Sequence, residues 1–114
     1  MNKQTLAEDN IFSPALDKIG HFHEETLAEV MSTVSENKIV VVGMRLNPFV
    51  RKAKKLLESK DLDFKYLEYG GYMNDWKKRL AIKLWSGWPS YPQVFIDGKL
   101  VGGYSELESH LKQS

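Results

Sequence analysis

Apolar residues first recur with a clear period between residues 24 and 35, where two glutamates precede a helical stripe. The stripe consists of Leu27, Val30, Met31 and Val34. Asn37 interrupts it, and four β-branched residues follow at positions 39–42. A continuous apolar run of this kind is typical of a strand that helices cover on both faces. The pattern therefore predicts a helix over 24–35 and a buried strand directly after it.

A second amphipathic helix is predicted to begin at Pro48, because proline suits the first helical turn, where no amide hydrogen is needed. Its inward positions are Val50, Ala53, Leu56 and Leu57, and its outward positions are Arg51, Lys52, Lys54 and Lys55. Alternating residues at 64–67 predict a second strand. A third helix is predicted over 74–85, with Asn74 as its cap. We expect the inner stripe of this helix to contain Trp76, Leu80 and Leu84.

The last third of the chain predicts a β-hairpin and a closing helix. Asp97 and Gly98 form a strong two-residue turn signal between apolar runs at 93–96 and 100–101. A helix over 105–112 follows. One βαβ crossover and then a hairpin give two parallel strands and an antiparallel pair. The predicted fold class is therefore α/β, with a mixed four-stranded sheet flanked by helices.

The first 23 residues show no clean period, and Ser13–Pro14 interrupts them. We expect a partly ordered N-terminal arm over residues 1–23 and one domain over residues 24–114. His21 and His23 stand close enough to begin a metal site. The sequence offers them no cysteine and no obvious third ligand, so we expect solvent-exposed histidines and no metal site.

The composition and charge of the chain limit the classes of function that it can have. The chain of 114 residues carries 16 Lys and Arg against 15 Asp and Glu, so its charge favours neither nucleic acid nor a membrane as partner. No apolar run approaches the ~18 residues of a membrane span, and the N-terminus lacks the apolar stretch of a secretory signal. The chain has no cysteine, which excludes a disulfide framework. The expected localisation is therefore cytoplasmic.

The segment that joins the first strand to the second helix is the most informative part of the sequence. Thiol-redox domains place a Cys-x-x-Cys or a single cysteine in this position. Here the four residues are Asn47, Pro48, Phe49 and Val50, and neither end residue can form the thiolate that disulfide exchange needs. No catalytic residue is assigned. Asn47 is either a polar group aimed at a ligand or a helix N-cap, and the N-cap is the commoner role.

Three segments, in order, resemble glutaredoxins of the thioredoxin fold over residues 24–114. Residues 47–50 are similar to Cys-Pro-Tyr-Cys with both cysteines replaced. Residues 88–96 are similar to the Trp-Pro-Thr-x-Pro-Gln run of single-cysteine (monothiol) members. Residues 97–103 are similar to the family's hairpin and double glycine, and Arg79 also looks like the monothiol subgroup.

The resemblance implies a glutathione site beside the missing cysteines. Pro92 matches the family's cis-proline, which would expose the main chain of Tyr91 for pairing with glutathione. The two glycines would allow close approach at a helix N-terminus, and Arg79 would reach the glycyl carboxylate. The implied glutathione-binding residues are Arg45, Arg79, Tyr91, Pro92, Gly102, Gly103 and Ser105. Asn47, Phe49 and Tyr104 would complete the groove.

Two departures from the family pattern bear on this site. Met44 stands where the family has a lysine, with Arg45 as a substitute, and Ser105 stands where it has an acidic residue. We expect a binding module without disulfide exchange, whose partner is glutathione or an extended protein segment. The alternative is a glutathione-dependent enzyme, or a protein of redox homeostasis, that positions glutathione as the thiol substrate. No iron–sulfur cluster is expected, because the family's mode of binding needs a cysteine thiolate.

Overall fold

The computed structural model describes residues 23–71 and 73–113, so the predicted arm lies outside the described residues except for His23. Helices and strands follow in the predicted order. They are α1 (Glu24–Glu36), β1 (Ile39–Gly43), α2 (Pro48–Ser59), β2 (Lys65–Glu68), α3 (Trp76–Ser86), β3 (Gln93–Ile96), β4 (Lys99–Gly102) and α4 (Tyr104–Lys112).

The four strands form one mixed sheet in the order β2-β1-β3-β4. Strand β1 runs parallel to β2 and antiparallel to β3, and Val41 lies opposite Tyr66 on one side and Val94 on the other. Strands β3 and β4 form the predicted hairpin. Its turn places Asp97 and Gly98 at φ values of 52° and 80°, as a two-residue turn with two left-handed positions requires. The predicted mixed four-stranded sheet is confirmed.

Helices cover both faces of the sheet because successive side chains of β1 point in opposite directions. Val40 and Val42 pack with residues of α1 and α3, whereas Ile39 and Val41 pack with residues of α2 and α4. All five residues of β1 are buried, which explains its unbroken apolar sequence. Strand β1 is followed by the loop that contains Asn47, and the candidate site lies at this edge of the sheet.

The prediction for the third helix was wrong in its start and in its inner face. Helix α3 begins at Trp76, and its N-cap is Asp75, which makes no side-chain capping bond. Trp76 and Leu84 are 57% and 46% exposed, while the buried residues are Arg79, Ala81 and Ile82. Apolar residues surround nearly the whole helix, so their spacing does not define one face. Strand β2 also starts one residue later than predicted.

Gly43, the last residue of β1, leaves room for the side chain of Val50 in α2. A Cβ atom on Gly43 would lie 2.7 Å from Val50 Cγ1 and 3.1 Å from the Tyr66 ring. We expect Gly43→Ala to lower the free energy of unfolding by roughly 1–3 kcal/mol, because the β-branched valine cannot turn away. Urea denaturation measures this value.

A double-mutant cycle provides the control for Gly43→Ala. In a Val50→Ala background the methyl group added at position 43 has more space. Gly43→Ala is therefore expected to lower the free energy of unfolding by less than it does in the wild type. Equal costs in both backgrounds would show that the Gly43–Val50 contact does not limit packing at this edge.

Candidate functional site

Asn47 is the N-cap of α2, which confirms the commoner of its two interpretations. Its side-chain Oδ1 accepts hydrogen bonds from the backbone N–H groups of Phe49 (2.9 Å) and Val50 (3.1 Å). An amide oxygen therefore uses the helix-terminal donors that would otherwise favour an anion. At the fourth position, Val50 is 2% exposed and belongs to the core, whereas Phe49 is 52% exposed.

Arg79 does not extend toward solvent, although the sequence suggested an arginine that reaches a ligand. It is 7% exposed, and its Nη1 donates to the carbonyl oxygens of Tyr69 (2.8 Å) and Asn74 (2.7 Å). The Tyr91 hydroxyl donates to the carbonyl oxygen of Arg79 at 2.7 Å. The guanidinium thus fastens the segment after β2 to α3, so its contacts in the structure are those of a structural residue.

Arg45 is an exposed cation near the segment that follows β2. Its backbone N–H donates to Gly70 O at 2.8 Å, and its Nη2 donates to Asn74 Oδ1 at 3.3 Å. The same Asn74 oxygen accepts from the backbone N–H of Gly71 at 2.8 Å. The predicted capping role of Asn74 is therefore wrong, because its side chain instead links Arg45 to the loop. The sequence reasoning missed this contact, which joins residues distant along the chain.

The Tyr91–Pro92 peptide bond is cis, as predicted. Pro92 is fully buried, and Tyr91 as a whole residue is 7% exposed. Burial raises the pKa of the Tyr91 phenol, and the charge of Arg79 only partly opposes this, so the hydroxyl stays a neutral donor. None of the hydrogen bonds among the described residues uses the backbone N–H or C=O of Tyr91. An unpaired main chain at this position is what the pairing implied by the resemblance requires.

Gly102 and Gly103 lie beside the indole of Trp88 and the Pro92 carbonyl. Gly102 has a φ of 133°, and a Cβ atom there would approach Trp88 Cη2 to 3.1 Å. A Cβ atom on Gly103 would lie 3.6 Å from both Trp88 Nε1 and Pro92 O. The structure therefore brings Pro92 and the two glycines together, as the resemblance implied, and Trp88 forms a wall beside them.

Glu106 was not assigned a role from the sequence, and it contacts this glycine pair. Its Oε1 accepts from the backbone N–H of Gly103 at 3.0 Å. A glutamate three residues after a helix N-cap is a known pattern that could have identified this bond. Ser105 is exposed in the first turn of α4. Glu106 therefore uses the Gly103 N–H, while those of Tyr104 and Ser105 have no partner among the described residues.

Comparison with known proteins identifies the family. The glutaredoxin family profile matches residues 39–101, more than half of the chain. The chain belongs to the glutaredoxin family. It is 44% identical to a glutaredoxin-like protein of Dictyostelium discoideum over 95 residues, covering 83% of this chain and 77% of that protein. It is 35% identical to rice glutaredoxin-C6, covering 68% of this chain and 69% of that protein.

Solved glutaredoxin structures share the thioredoxin-type fold of this chain. A buckwheat glutaredoxin–glutathione complex superimposes with a TM-score of 0.70 at 23% identity, covering 82% of this chain and 86% of that chain. Oxidized glutaredoxin 2 of Chlamydomonas reinhardtii superimposes with a TM-score of 0.68 at 25% identity, covering 80% and 86% of the two chains. The predicted glutaredoxin-type fold is confirmed.

This glutaredoxin-family chain also carries an aromatic–cation cluster beside the site. Lys52 Nζ lies 5.4 Å from the ring centre of Phe49 and 5.8 Å from that of Tyr104. Among the described residues no group of three acidic, histidine or cysteine side chains is placed to hold a metal ion. In the same part of the chain, no helix has the length and apolar character needed to cross a membrane.

Proposed function

We propose that this glutaredoxin-family chain binds glutathione in the family's groove and does not catalyse thiol–disulfide exchange. One observation carries the proposal. Tyr91 shares a buried cluster with Val50 in the first turn of α2, and Tyr104, next to the glycine pair, has its ring 5.8 Å from Lys52 Nζ of the same helix. The N-terminus of this helix is capped by Asn47 and carries no thiolate. The groove thus keeps backbone groups for a peptide ligand and lacks the reactive sulfur.

Backbone recognition supports glutathione as the ligand. Glutathione is a short peptide with two carboxylates, and an extended peptide can pair with exposed main-chain groups as an added strand does. The backbone of Tyr91 supplies such groups. The N–H groups of Tyr104 and Ser105, at the first turn of α4, suit a carboxylate. The related buckwheat protein was solved as a glutathione complex.

The charged residues define which carboxylate contacts are available. Arg45 is exposed and held by Asn74, so it is the cation that we assign to the glycyl carboxylate. Nη1 of Arg79 is already bonded to two carbonyl oxygens. Glu106 contributes a negative charge next to Gly103, which opposes a ligand carboxylate at α4. We therefore propose weaker binding than a site without this glutamate would give.

The absence of turnover follows from the chemistry of disulfide exchange. Exchange begins when a thiolate attacks a disulfide sulfur, and this chain contains no cysteine. The Asn47 amide oxygen accepts two hydrogen bonds but is not a nucleophile for sulfur. The alternative, in which the bound glutathione thiol is itself the reactant, differs in one requirement. It needs a free thiol on the ligand, whereas simple binding does not.

Gly103→Ala tests the glutathione site with little effect on folding. Its new methyl group would meet neighbours no closer than 3.4 Å, and Gly103 has an ordinary negative φ of −94°, so stability is expected to change little. The methyl group would fill the space that a ligand approaches, and we expect roughly tenfold weaker binding. Backbone amide shifts during titration with reduced glutathione measure this affinity.

S-methylglutathione and a control variant complete the test. Equal affinity for reduced and S-methylated glutathione is expected, because the protein offers no partner chemistry for the thiol. Ser109→Ala, on the exposed side of α4, is expected to bind like the wild type. If amides near Tyr91 and Gly103 do not shift at any glutathione concentration, the proposed ligand is wrong.

A further inference from the structure

We propose that Leu46, the exposed side of α2 as far as Lys55, and Tyr104 form a docking surface for an acidic segment of a partner protein. We call it the basic–aromatic surface, and it consists of Leu46, Phe49, Lys52, Lys55 and Tyr104. Cations and exposed apolar side chains alternate on it. The proposal goes beyond glutathione binding: Phe49 and Tyr104 border both sites, but the cations Lys52 and Lys55 are not assigned to the glutathione groove.

The charges of α2 are arranged against its own dipole. Arg51 and Lys52 lie near its N-terminus, Glu58 lies in its last turn, and Asp61 follows the helix. The first turn contains no acidic residue and the last turn no basic one. A helix dipole favours the opposite arrangement, so this pattern lowers helix stability while raising the positive potential at one end. That potential attracts an anionic partner.

The basic side chains of α2 are not neutralised by the acidic residues that the structure describes. None of its four cations forms an ion pair with a described residue; the four are Arg51, Lys52, Lys54 and Lys55. The ammonium group of Lys52 lies near the rings of Phe49 and Tyr104, within the range of cation–π contact. These rings orient the charge and leave it open to a carboxylate. A partner carboxylate can therefore reach an exposed cation that lies beside two aromatic rings.

Exposed apolar side chains adjoin these cations. Phe49 is 52% exposed, and Leu46 is 76% exposed in the loop that leads into α2. Leu46 also has a φ of 62°, a left-handed conformation that is disfavoured for leucine. Backbone strain of this kind concentrates at functional sites. An apolar side chain of a partner would cover surface that this domain leaves in water.

The chemistry of the surface favours an acidic peptide over a polyphosphate. Asn47 Oδ1 already occupies the N–H groups of Phe49 and Val50, so the helix end offers no backbone cradle for a phosphate. Exposed Glu58, Asp61 and Asp63 lie at the other end of α2 and would repel a long polyanion. Carboxylates paired with an apolar side chain match both the cations and the exposed Leu46 and Phe49.

Fluorescence anisotropy with a labelled Glu-Glu-Phe repeat peptide tests the proposal. We expect binding that weakens at least about fivefold in Lys52→Gln, since a rim cation is removed while most of the side chain remains. Lys99→Gln, an exposed lysine of β4, is the matched control and is expected to change affinity by less than about twofold. Binding should also weaken as salt is raised, because the charges are exposed to water.

Other ligands and a second variant separate the competing occupants. A Lys-Lys-Phe repeat peptide is expected not to bind, and Phe49→Ala is expected to weaken the acidic peptide as Lys52→Gln does. No binding of the acidic peptide, or equal loss in Lys52→Gln and Lys99→Gln, would overturn the proposal. Tighter binding of oligothymidylate would assign the surface to nucleic acid instead. Lys52-dependent self-association in analytical ultracentrifugation would assign it to a second copy of this chain.

The glutathione site is tested separately from this surface. Lys52→Gln is expected to bind reduced glutathione as the wild type does, because Lys52 is not assigned to the glutathione groove. Gly103→Ala is expected to retain the acidic peptide. Loss of both ligands in either variant, with an intact amide spectrum, would contradict a separate docking surface.

Discussion

The protein is expected to exchange no glutathione disulfides above the uncatalysed rate, and Asn47→Cys is expected to create that activity. The wild type has no thiolate to begin the exchange. In the variant, the new Sγ atom would take the position of Asn47 Cγ, near the backbone N–H groups of Phe49 and Val50. A thiol at a helix N-terminus has a depressed pKa, so we expect turnover at least about tenfold above the wild type at neutral pH. A glutathione reductase-coupled assay measures it.

Two variants control for the new thiol. Asn47→Ser keeps a capping oxygen without sulfur and is expected to be inactive. Val50→Cys introduces a thiol at a position that is 2% exposed, where burial makes a cysteine inert, and is also expected to be inactive. Turnover by the wild type that requires a free glutathione thiol would instead support the alternative of a glutathione-dependent enzyme. A folded but inactive Asn47→Cys variant would indicate that the groove no longer positions glutathione for reaction.

Arg79→Ala is expected to lower the free energy of unfolding by about 2–4 kcal/mol, because buried hydrogen bonds from a charged donor are lost. The substitution leaves the carbonyl oxygens of Tyr69 and Asn74 without Nη1 and opens a cavity beneath the loop. Lys77→Ala, at an exposed position of the same helix, is expected to change stability by less than about 0.5 kcal/mol. Urea denaturation compares the two variants.

Glutathione binding provides the second measurement for Arg79. If Arg79→Ala folds with unchanged stability yet no longer binds glutathione, the arginine is a ligand residue and the structural interpretation is wrong. Arg79→Lys is expected to be intermediate in stability, since a lysine keeps the charge but not the planar guanidinium that reaches two carbonyls. A free energy of unfolding that falls from the wild type through Arg79→Lys to Arg79→Ala would support a structural role.

Much of the fold could be predicted because its signals are local. The β-branched run of β1, the proline of α2 and the Asp97–Gly98 turn each act within a few residues of the chain. The cap at Asn47 belongs to the same class, since its side chain bonds only two and three residues ahead. Such features need no knowledge of distant segments.

The errors arose where contacts join distant segments. Asparagine is a residue type typical of N-caps, but the Asn74 side-chain oxygen instead accepts a hydrogen bond from Arg45, which lies 29 positions earlier. The inner face of α3 was misassigned because apolar residues cover most of its circumference, and only packing against α1 and the sheet selects which are buried. Arg79, which the resemblance assigned to a ligand carboxylate, lies 7% exposed with Nη1 bonded to two backbone carbonyls, contacts that no local signal indicates.

The sequence by itself determined the order of elements, the mixed sheet and the loss of a protein thiolate, because periodicity, turn residues and the absence of cysteine are properties of the chain. The tertiary structure decided which polar groups are free to meet a ligand. It engages Nη1 of Arg79 and the N–H of Gly103 in internal hydrogen bonds. It leaves the main chain of Tyr91 without a hydrogen-bond partner among the described residues. Hydrogen-bond partners are fixed by distances between segments, and those distances exist only after folding.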